Sequence, residues 1–257
     1  MVFTDLILMS CEKKGVAFNK NDKLNDYYIL LGLEYEKNNC VHEKIIDFPK
    51  YAPTPAIFEF IARYELVKLI KDIAGDIFEM GVCGGRGLFS FYHALSLLEP
   101  AYQFREIIGF DTFNGITGIT EQDTNRYREI KEGDFCFNRK EEIITLAKIH
   151  EDFKDNYFNK NRIHLVEGNI LETLPNYLNE NKHKLVSLLY LDLDIYAPTK
   201  FSLEKVLPRM CKGSIIAFDE LYYRSFPGET IALLEVLNIN NHKINNILGG
   251  RINYIIL

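Results

Sequence analysis

The run DIFEMGVCGGRG, residues 76–87, carries three signals in close succession. Asp76 to Glu79 is a short segment with an apolar centre that ends in an acid. Gly81, Gly84, Gly85 and Gly87 form a glycine turn, and apolar residues resume from Leu88 to Leu98. That order predicts a strand, a tight turn and a helix. The glycines fall as GxxGGxG rather than GxGxxG, and no Gly-Lys-Ser/Thr follows, so neither a dinucleotide fingerprint nor a P-loop is present. Without a Cβ, such a turn lets backbone approach a ligand; a simple tight turn is the plainer alternative.

The same pattern repeats downstream. Glu106 to Phe110 reads as a strand ending at Asp111, and Ile163 to Val166 as a strand followed by Glu167, Gly168 and Asn169 and a helix near Leu171 to Leu178. Leu185 to Leu191 is an apolar strand that runs into Asp192, Leu193 and Asp194, with a helix near Thr199 to Leu207. Ser214 to Phe218 ends in Asp219 and Glu220, ahead of a helix from Gly228 to Leu237. Upstream, Pro55 to Ile73 has helical apolar spacing. Strands alternating with helices predict an α/β fold: a mostly parallel sheet with helices on both faces and ligands bound beyond the carboxyl ends of the strands. Glu79, Asp111, Glu167, Asp192 and Asp219 all lie at such ends. A solvated strand end explains any one of them; together they mark a site.

With 257 residues and no linker, the chain is expected to form one large domain, 56–257, preceded by an N-terminal helical or cap segment, 1–55. A long polar insertion at about 117–160 reads as a lid, its tip at Gly133, Asp134 and Phe135; an oligomer interface is the competing reading. The net charge of -6 and the lack of a basic stripe argue against nucleic acid. Lys182 and Lys184, split by His183, read as a solvated face. Five cysteines without a CxxC pair speak against zinc and redox motifs and fit a reducing cytoplasm. The leading MVFTDLILMS has no basic n-region and only a short apolar run carrying Asp5, so neither a signal peptide nor a membrane span is expected.

The strand-end residues suggest two halves of a site. Asp111 can accept hydrogen bonds from a ribose, which S-adenosylmethionine and NAD both offer. Asn169 would meet an adenine edge or form a turn. Asp192, Asp219 and Glu220 bring three carboxylates from adjacent strand ends into one volume, where repulsion raises their pKa values. A hard divalent cation such as magnesium would relieve it; a set of exposed acids is the alternative. Asp194 reads as the N-cap of the following helix or, second, as a residue supporting the acids from behind. Arg86 would face a cofactor carboxylate or cap the turn, and His93 reads as a packing residue. Tyr196, Tyr222 and Tyr223 flank the acids and would shape an acceptor pocket or pack.

On these residues the chain resembles the macrocin O-methyltransferase family, some of whose members methylate deoxysugar hydroxyls. The matching stretches are FEMGVCGGRG, IGFDTFNGI, LVEGNILETLP, LLYLDLDIYAPTKFSLEKVLPRMCKGSIIAFDE and FPGET, covering about residues 48–237 in order. The resemblance implies a class I methyltransferase (Rossmann-like) fold and S-adenosylmethionine as donor. It further implies a magnesium ion beside the acceptor, and a sugar or nucleotide-linked small molecule as that acceptor. By motif position Glu79, Gly81, Asp111, Thr112, Phe113 and Asn169 would line the cofactor. Val82, Gly84, Gly85, Glu167 and Asp192 complete that candidate set. Asp192 would be both catalytic base and metal ligand, with Asp219 and Glu220; Glu220 stands where the family more often has a second aspartate. The competing functions are an NAD-dependent oxidoreductase, which predicts the absent GxGxxG, and a non-catalytic sugar- or nucleotide-binding module, which would not need all three acids.

Overall fold

The structure, a computed structural model, describes residues 23–100, 104–152 and 162–257. The MVFTDLILMS run, Cys11 and the end of the insertion, 153–160, lie outside them. The chain divides into two compact units, up to residue 61 and from residue 62 on, the division falling inside helix α3. The first holds α1 (Lys23–Lys37), α2 (Val41–Ile46) and the start of α3 (Thr54–Leu69). There Tyr35 meets Tyr51 edge-on at 5.2 Å, and the Lys44 ammonium stands 4.1 Å over the Tyr35 ring. Among the described residues no helix is long and apolar enough to cross a membrane.

The second unit alternates β1 (Asp76–Met80), α4 (Arg86–Leu98), β2 (Ile107–Asp111), α5 (Lys140–Asp152), β3 (Ile163–Glu167), α6 (Ile170–Glu180), β4 (Val186–Leu191), α7 (Tyr196–Val206), β5 (Ile215–Phe218) and α8 (Gly228–Val236). It closes with β6 (Ile244–Asn246) and β7 (Asn253–Ile256). The seven strands lie in the order β3-β2-β1-β4-β5-β7-β6. Strands β1 to β5 are parallel, and β7 runs antiparallel to both β5 and β6. Strands β6 and β7 thus form an antiparallel edge.

Alternation within the strands sorts side chains to opposite faces. Phe78, Met80, Phe110, Leu189, Leu191 and Phe218 share one core with Leu174 of α6, Leu203 of α7 and Leu233 of α8. On the other face Tyr190 meets Phe91 of α4, ring centroids 5.5 Å apart. At the amino ends of the strands Lys184 is 12% exposed and pairs with Asp76 at 2.8 Å and Glu106 at 2.5 Å. It is a buried clamp rather than part of a solvated face, because the sheet brings both acids beside it. Arg105 is buried alongside and donates to Ser187 Oγ at 2.5 Å.

The strand order reverses between β1 and β4, and a crevice forms where such a sheet switches direction. Contact there is tight. Asp192 N–H donates to the Met80 carbonyl at 2.8 Å, so the chain leaving β4 stays paired to β1. Gly81 has φ +91°, and a Cβ on it would sit 1.9 Å from the Asp192 carbonyl oxygen. The nearest atoms are all backbone of Asp192, so no flexible side chain can yield. Gly81→Ala is therefore expected to destabilise the fold by about 2–4 kcal/mol, combining overpacking with the left-handed backbone penalty. Urea unfolding that leaves the midpoint unchanged would contradict this packing.

Candidate active site

The glycine turn after β1 is held by an acid from β2. Asp111 Oδ2 accepts from the backbone amides of Val82 (2.7 Å) and Cys83 (2.8 Å), and Oδ1 accepts from Phe113 (2.6 Å). These bonds fix the turn in an unusual course, with positive φ at Gly81, Cys83 and Gly85. Asn169, after β3, caps α6 by accepting from the Leu171 amide at 3.0 Å. It therefore has the turn-forming role and also faces the cavity.

That cavity has a volume of about 410 Å³ and opens at the carboxyl ends of the strands. Its size is within the roughly 300–1,000 Å³ of small-molecule sites. Gly81, Asp111, Thr112 and Asn169 line one part, and Asp192, Asp194, Asp219 and Glu220 another. Arg86 lines it too. Other expected cofactor residues are placed elsewhere. Val82 and Phe113 are buried, and Gly84 and Gly85 lie in the turn without lining the cavity. Glu167 turns outward and pairs with Lys140 at 2.5 Å, because α5 passes beside the end of β3. Glu79 is buried beneath α4, where only Gly87 leaves it room: a Cβ there would lie 1.6 Å from Glu79 Oε1.

The acids are compensated by arginines. Arg63, on α3, is buried, stands 4.0 Å from both Asp192 Oδ2 and Asp219 Oδ1, and stacks over Tyr190 at 4.6 Å. Tyr190 donates its hydroxyl to Asp219 Oδ1 at 2.6 Å. Arg251, on the β6–β7 turn, bridges Asp219 Oδ2 (2.5 Å) and Glu220 Oε1 (3.2 Å). Arg63 escaped the sequence reading; its signal was an arginine within an apolar helical run. Arg251 had none, since it is remote from every motif.

Burial nonetheless raises the acids. The Asp192 carboxyl is pushed well above the usual range by desolvation first, then by Asp219 and Asp194, with Arg63 opposing. Asp194 rises to about 6 for the same first reason, then by Asp219. Asp194 is not the helix cap the sequence suggested. Ile195 holds the cap position of α7 without a side-chain bond, while Asp194 adopts a left-handed φ of 63° and lines the cavity. Glu229, in FPGET, is fully buried, accepts from the Glu220 amide at 3.0 Å, and is raised by burial and its acidic neighbours. Of the tyrosines Tyr223 lines the cavity, whereas Tyr222 is exposed and Tyr196 bonds Glu235 on the outer surface. His93 packs against Tyr92 and His150.

The donor types at Asp192, Asp219 and Glu220 fit a hard, oxygen-seeking cation. Their geometry does not form a ligand set, because Arg251 occupies two of the three. Among the described residues no group of three or more His, Cys, Asp or Glu side chains is arranged to hold a metal ion. The insertion is anchored at its start rather than free. Asp123 is buried, with Oδ1 accepting from the Tyr196 amide at 2.7 Å and Oδ2 from Thr120 Oγ1 at 2.8 Å. The turn at Gly133, Asp134 and Phe135 pairs with Ile116, whose amide donates to Asp134 O at 2.8 Å, and Phe135 lines the cavity.

A family model described as Macrocin-O-methyltransferase (TylF) matches residues 63–245. Among solved structures, the calicheamicin methyltransferase CalS11 is similar at TM-score 0.85 and 29% identity, covering 93% of this chain and 95% of that one. An apo structure of CalS11, described as a TDP-rhamnose 3'-O-methyltransferase of calicheamicin biosynthesis, gives 0.79 and 29%, with 93% and 97% covered. The O-methyltransferase NovP is similar in fold, at 0.56 and 16%, with 78% and 79% covered. No curated protein matches this chain.

The buried carboxyl of Glu79 generates a test of the site's electrostatics. Desolvation raises it from 4.5 to about 8, with Arg63 opposing and Asp111 adding. Between those values the folded state keeps a proton that the unfolded chain has released, so stability falls as pH rises through that window. Glu79→Gln mimics the neutral acid and should remove this slope. Melting temperatures from pH 4.5 to 8 that fall equally in both proteins would reject a neutral Glu79.

Proposed function

Because this chain belongs to the macrocin-O-methyltransferase family and is an O-methyltransferase, we propose that it transfers a methyl group from S-adenosylmethionine to a hydroxyl of a sugar or nucleotide-linked sugar. The observation that carries this reading is the shared cavity. The glycine turn, Asp111 and Asn169 lie on its strand-end rim together with Asp192, Asp194 and Asp219. The description of CalS11 as a TDP-rhamnose methyltransferase, at 29% identity, supports a sugar acceptor. The donor-side residues would be Gly81, Asp111, Thr112 and Asn169, Asp111 taking a ribose hydroxyl at Oδ1 through the lone pair its three backbone bonds leave open. When bound, the donor supplies an electrophilic methyl on a sulfonium, and losing that charge drives the transfer.

Asp192 acts on the acceptor. Its carboxylate takes the hydroxyl proton as the oxygen forms its bond to the methyl carbon and the carbon–sulfur bond breaks. The raised pKa of Asp192 makes it a stronger base than an ordinary carboxylate. Asp194 is a second candidate for this proton, since it lines the same cavity with a pKa near 6. Arg63 and Tyr190 hold Asp219 and so fix the floor beneath both. Closely placed donor and acceptor gain most of their rate from alignment, which a cavity of this size provides.

Asp192, Asp219 and Glu220 are the residues that would hold a divalent cation, which would make a bound hydroxyl more acidic. Arg251, exposed enough to swing away, would first have to release Asp219 and Glu220.

Asp192→Ala is expected to lower kcat by about 10²–10⁴-fold while leaving S-adenosylmethionine affinity within about threefold. Calorimetry and single-turnover methyl transfer measure the two quantities. Full turnover in that variant, with loss in Asp194→Asn instead, would move the base to Asp194. Transfer that slows on chelation and recovers with magnesium would require Arg251 to have released these acids; equal rates in both conditions remove the cation from the reaction.

A further inference from the structure

Arg128, on the loop between β2 and α5, is a cation that proton transfer leaves unused. Its guanidinium packs against two aromatic rings of the cavity, 4.7 Å from the Phe135 centroid and 4.8 Å from that of Phe226. Tyr223 stacks on Phe226 in turn, at 6.4 Å and 12°. The base of the arginine is fixed as well. Asn125 Oδ1 accepts from the amides of Tyr127 and Arg128, both at 2.9 Å, while Asn125 Nδ2 donates to Ser225 O at 3.0 Å. The half-buried guanidinium makes no ion pair with a carboxylate among the described residues, although Asp194 feels its charge.

The two rings, with centroids 6.2 Å apart, lie on adjoining sides of the guanidinium and restrict its movement without taking up its N–H groups as a carboxylate would. The edges, with their N–H groups, remain available, and they match the spacing of phosphate oxygens. A cation withdrawn from water without an anionic partner is costly, and a docking anion recovers that cost. Two further arginines meet at Tyr127, the residue before Arg128 in the chain. Arg126 and Arg224 lie 5.0 and 5.9 Å from the Tyr127 ring, and Arg126 Nη2 donates to the Tyr127 hydroxyl at 2.9 Å. Both are exposed. Such a gathering of positive charge stands out on a chain of net charge -6 whose cavity is lined by acids.

We propose that Arg128, with Arg126 and Arg224 at the rim, forms a phosphate-binding subsite, so that the acceptor is a sugar bearing a phosphate or diphosphate. The inference rests on the methyl-transfer reading of the same cavity and adds to it the part of the acceptor remote from the reacting hydroxyl. Held at Arg128, the phosphate orients the sugar toward Asp192 and Asp194. The diphosphate of a nucleotide sugar and that of a lipid-linked sugar share this chemistry.

Titration calorimetry on the full chain with TDP, thymidine, inorganic pyrophosphate and a short prenyl diphosphate tests the subsite. Wild-type protein should bind the diphosphates and not thymidine. TDP and pyrophosphate binding together point to the phosphates, and the tighter of TDP and prenyl diphosphate identifies the source. Arg128→Ala should weaken diphosphate binding by about tenfold or more, and Arg128→Lys should fall between, since it keeps the charge and loses the plane. Removing Arg126 and Arg224 together should cost about threefold and flatten the salt dependence. S-adenosylmethionine affinity and melting temperature should not move in any variant. No diphosphate binding by wild type, unchanged binding by Arg128→Ala, or a matching loss of donor affinity would each overturn the subsite. Methyl transfer separates it from the broader reading. A phosphorylated sugar should outperform the free sugar through KM, and Arg128→Ala should erase the difference. Equal use of phosphorylated and free sugar by the wild type would sink the subsite and leave methyl transfer standing. Diphosphate binding without transfer to any sugar would do the reverse.

Discussion

Like charge crowded into a small, largely buried volume is the constraint around which this protein is arranged. Glu79, Asp192, Asp194, Asp219, Glu220 and Glu229 act on one another where β1, β4 and β5 end. Carboxylates so placed either take up protons or acquire cations. The structure uses both means. Glu79, Asp192 and Glu229 are raised by burial, while Arg63 and Arg251 bracket Asp219 from α3 and from the β6–β7 turn. A site of this kind is costly to fold and reactive for the same reason, since a raised carboxylate is a better base.

The sheet makes that crowding possible. Because β1 and β4 are neighbours while the chain runs off to opposite sides, their ends open a crevice that no helix fills. The glycine turn enters it from β1 and Asp192 from β4, so close together that only glycine fits at position 81. Asp111 then ties the turn to β2. The glycine turn, Asp111 and Asp192 are therefore parts of one backbone framework; on the proposed assignment of donor and acceptor sides, that suits a reaction that depends on alignment along one line.

The loop after β2 completes the cavity with a different chemistry. Asp123 and Asn125 anchor it to the start of α7 and to Ser225, and this brings Phe135, Phe226 and Arg128 together. An acidic floor and a basic, aromatic wall then face one cavity. That polarity suits an acceptor with a reactive hydroxyl at one end and negative charge at the other.

Much of this was legible in the sequence, and the limits of legibility have a physical cause. Strand and helix periodicity, and acids at positions 111, 192 and 219 just past apolar runs, are local signals; they determined the parallel α/β order and most of the site's acidic side. The direction in which each side chain leaves the strand end is not local. Glu167 looks like Asp111 in the sequence, yet α5 draws it out to Lys140. Asp194 reads as a cap, yet a left-handed backbone turns it from that task. Arg63, Arg128 and Arg251 lie far apart in the chain and belong to no shared motif. They meet the acids or the aromatic wall only because the folded sheet and its loops bring them there. Local propensity set the order of the elements; the partner of each charge was decided by tertiary packing, because electrostatic compensation depends on distance in space and not on separation along the chain.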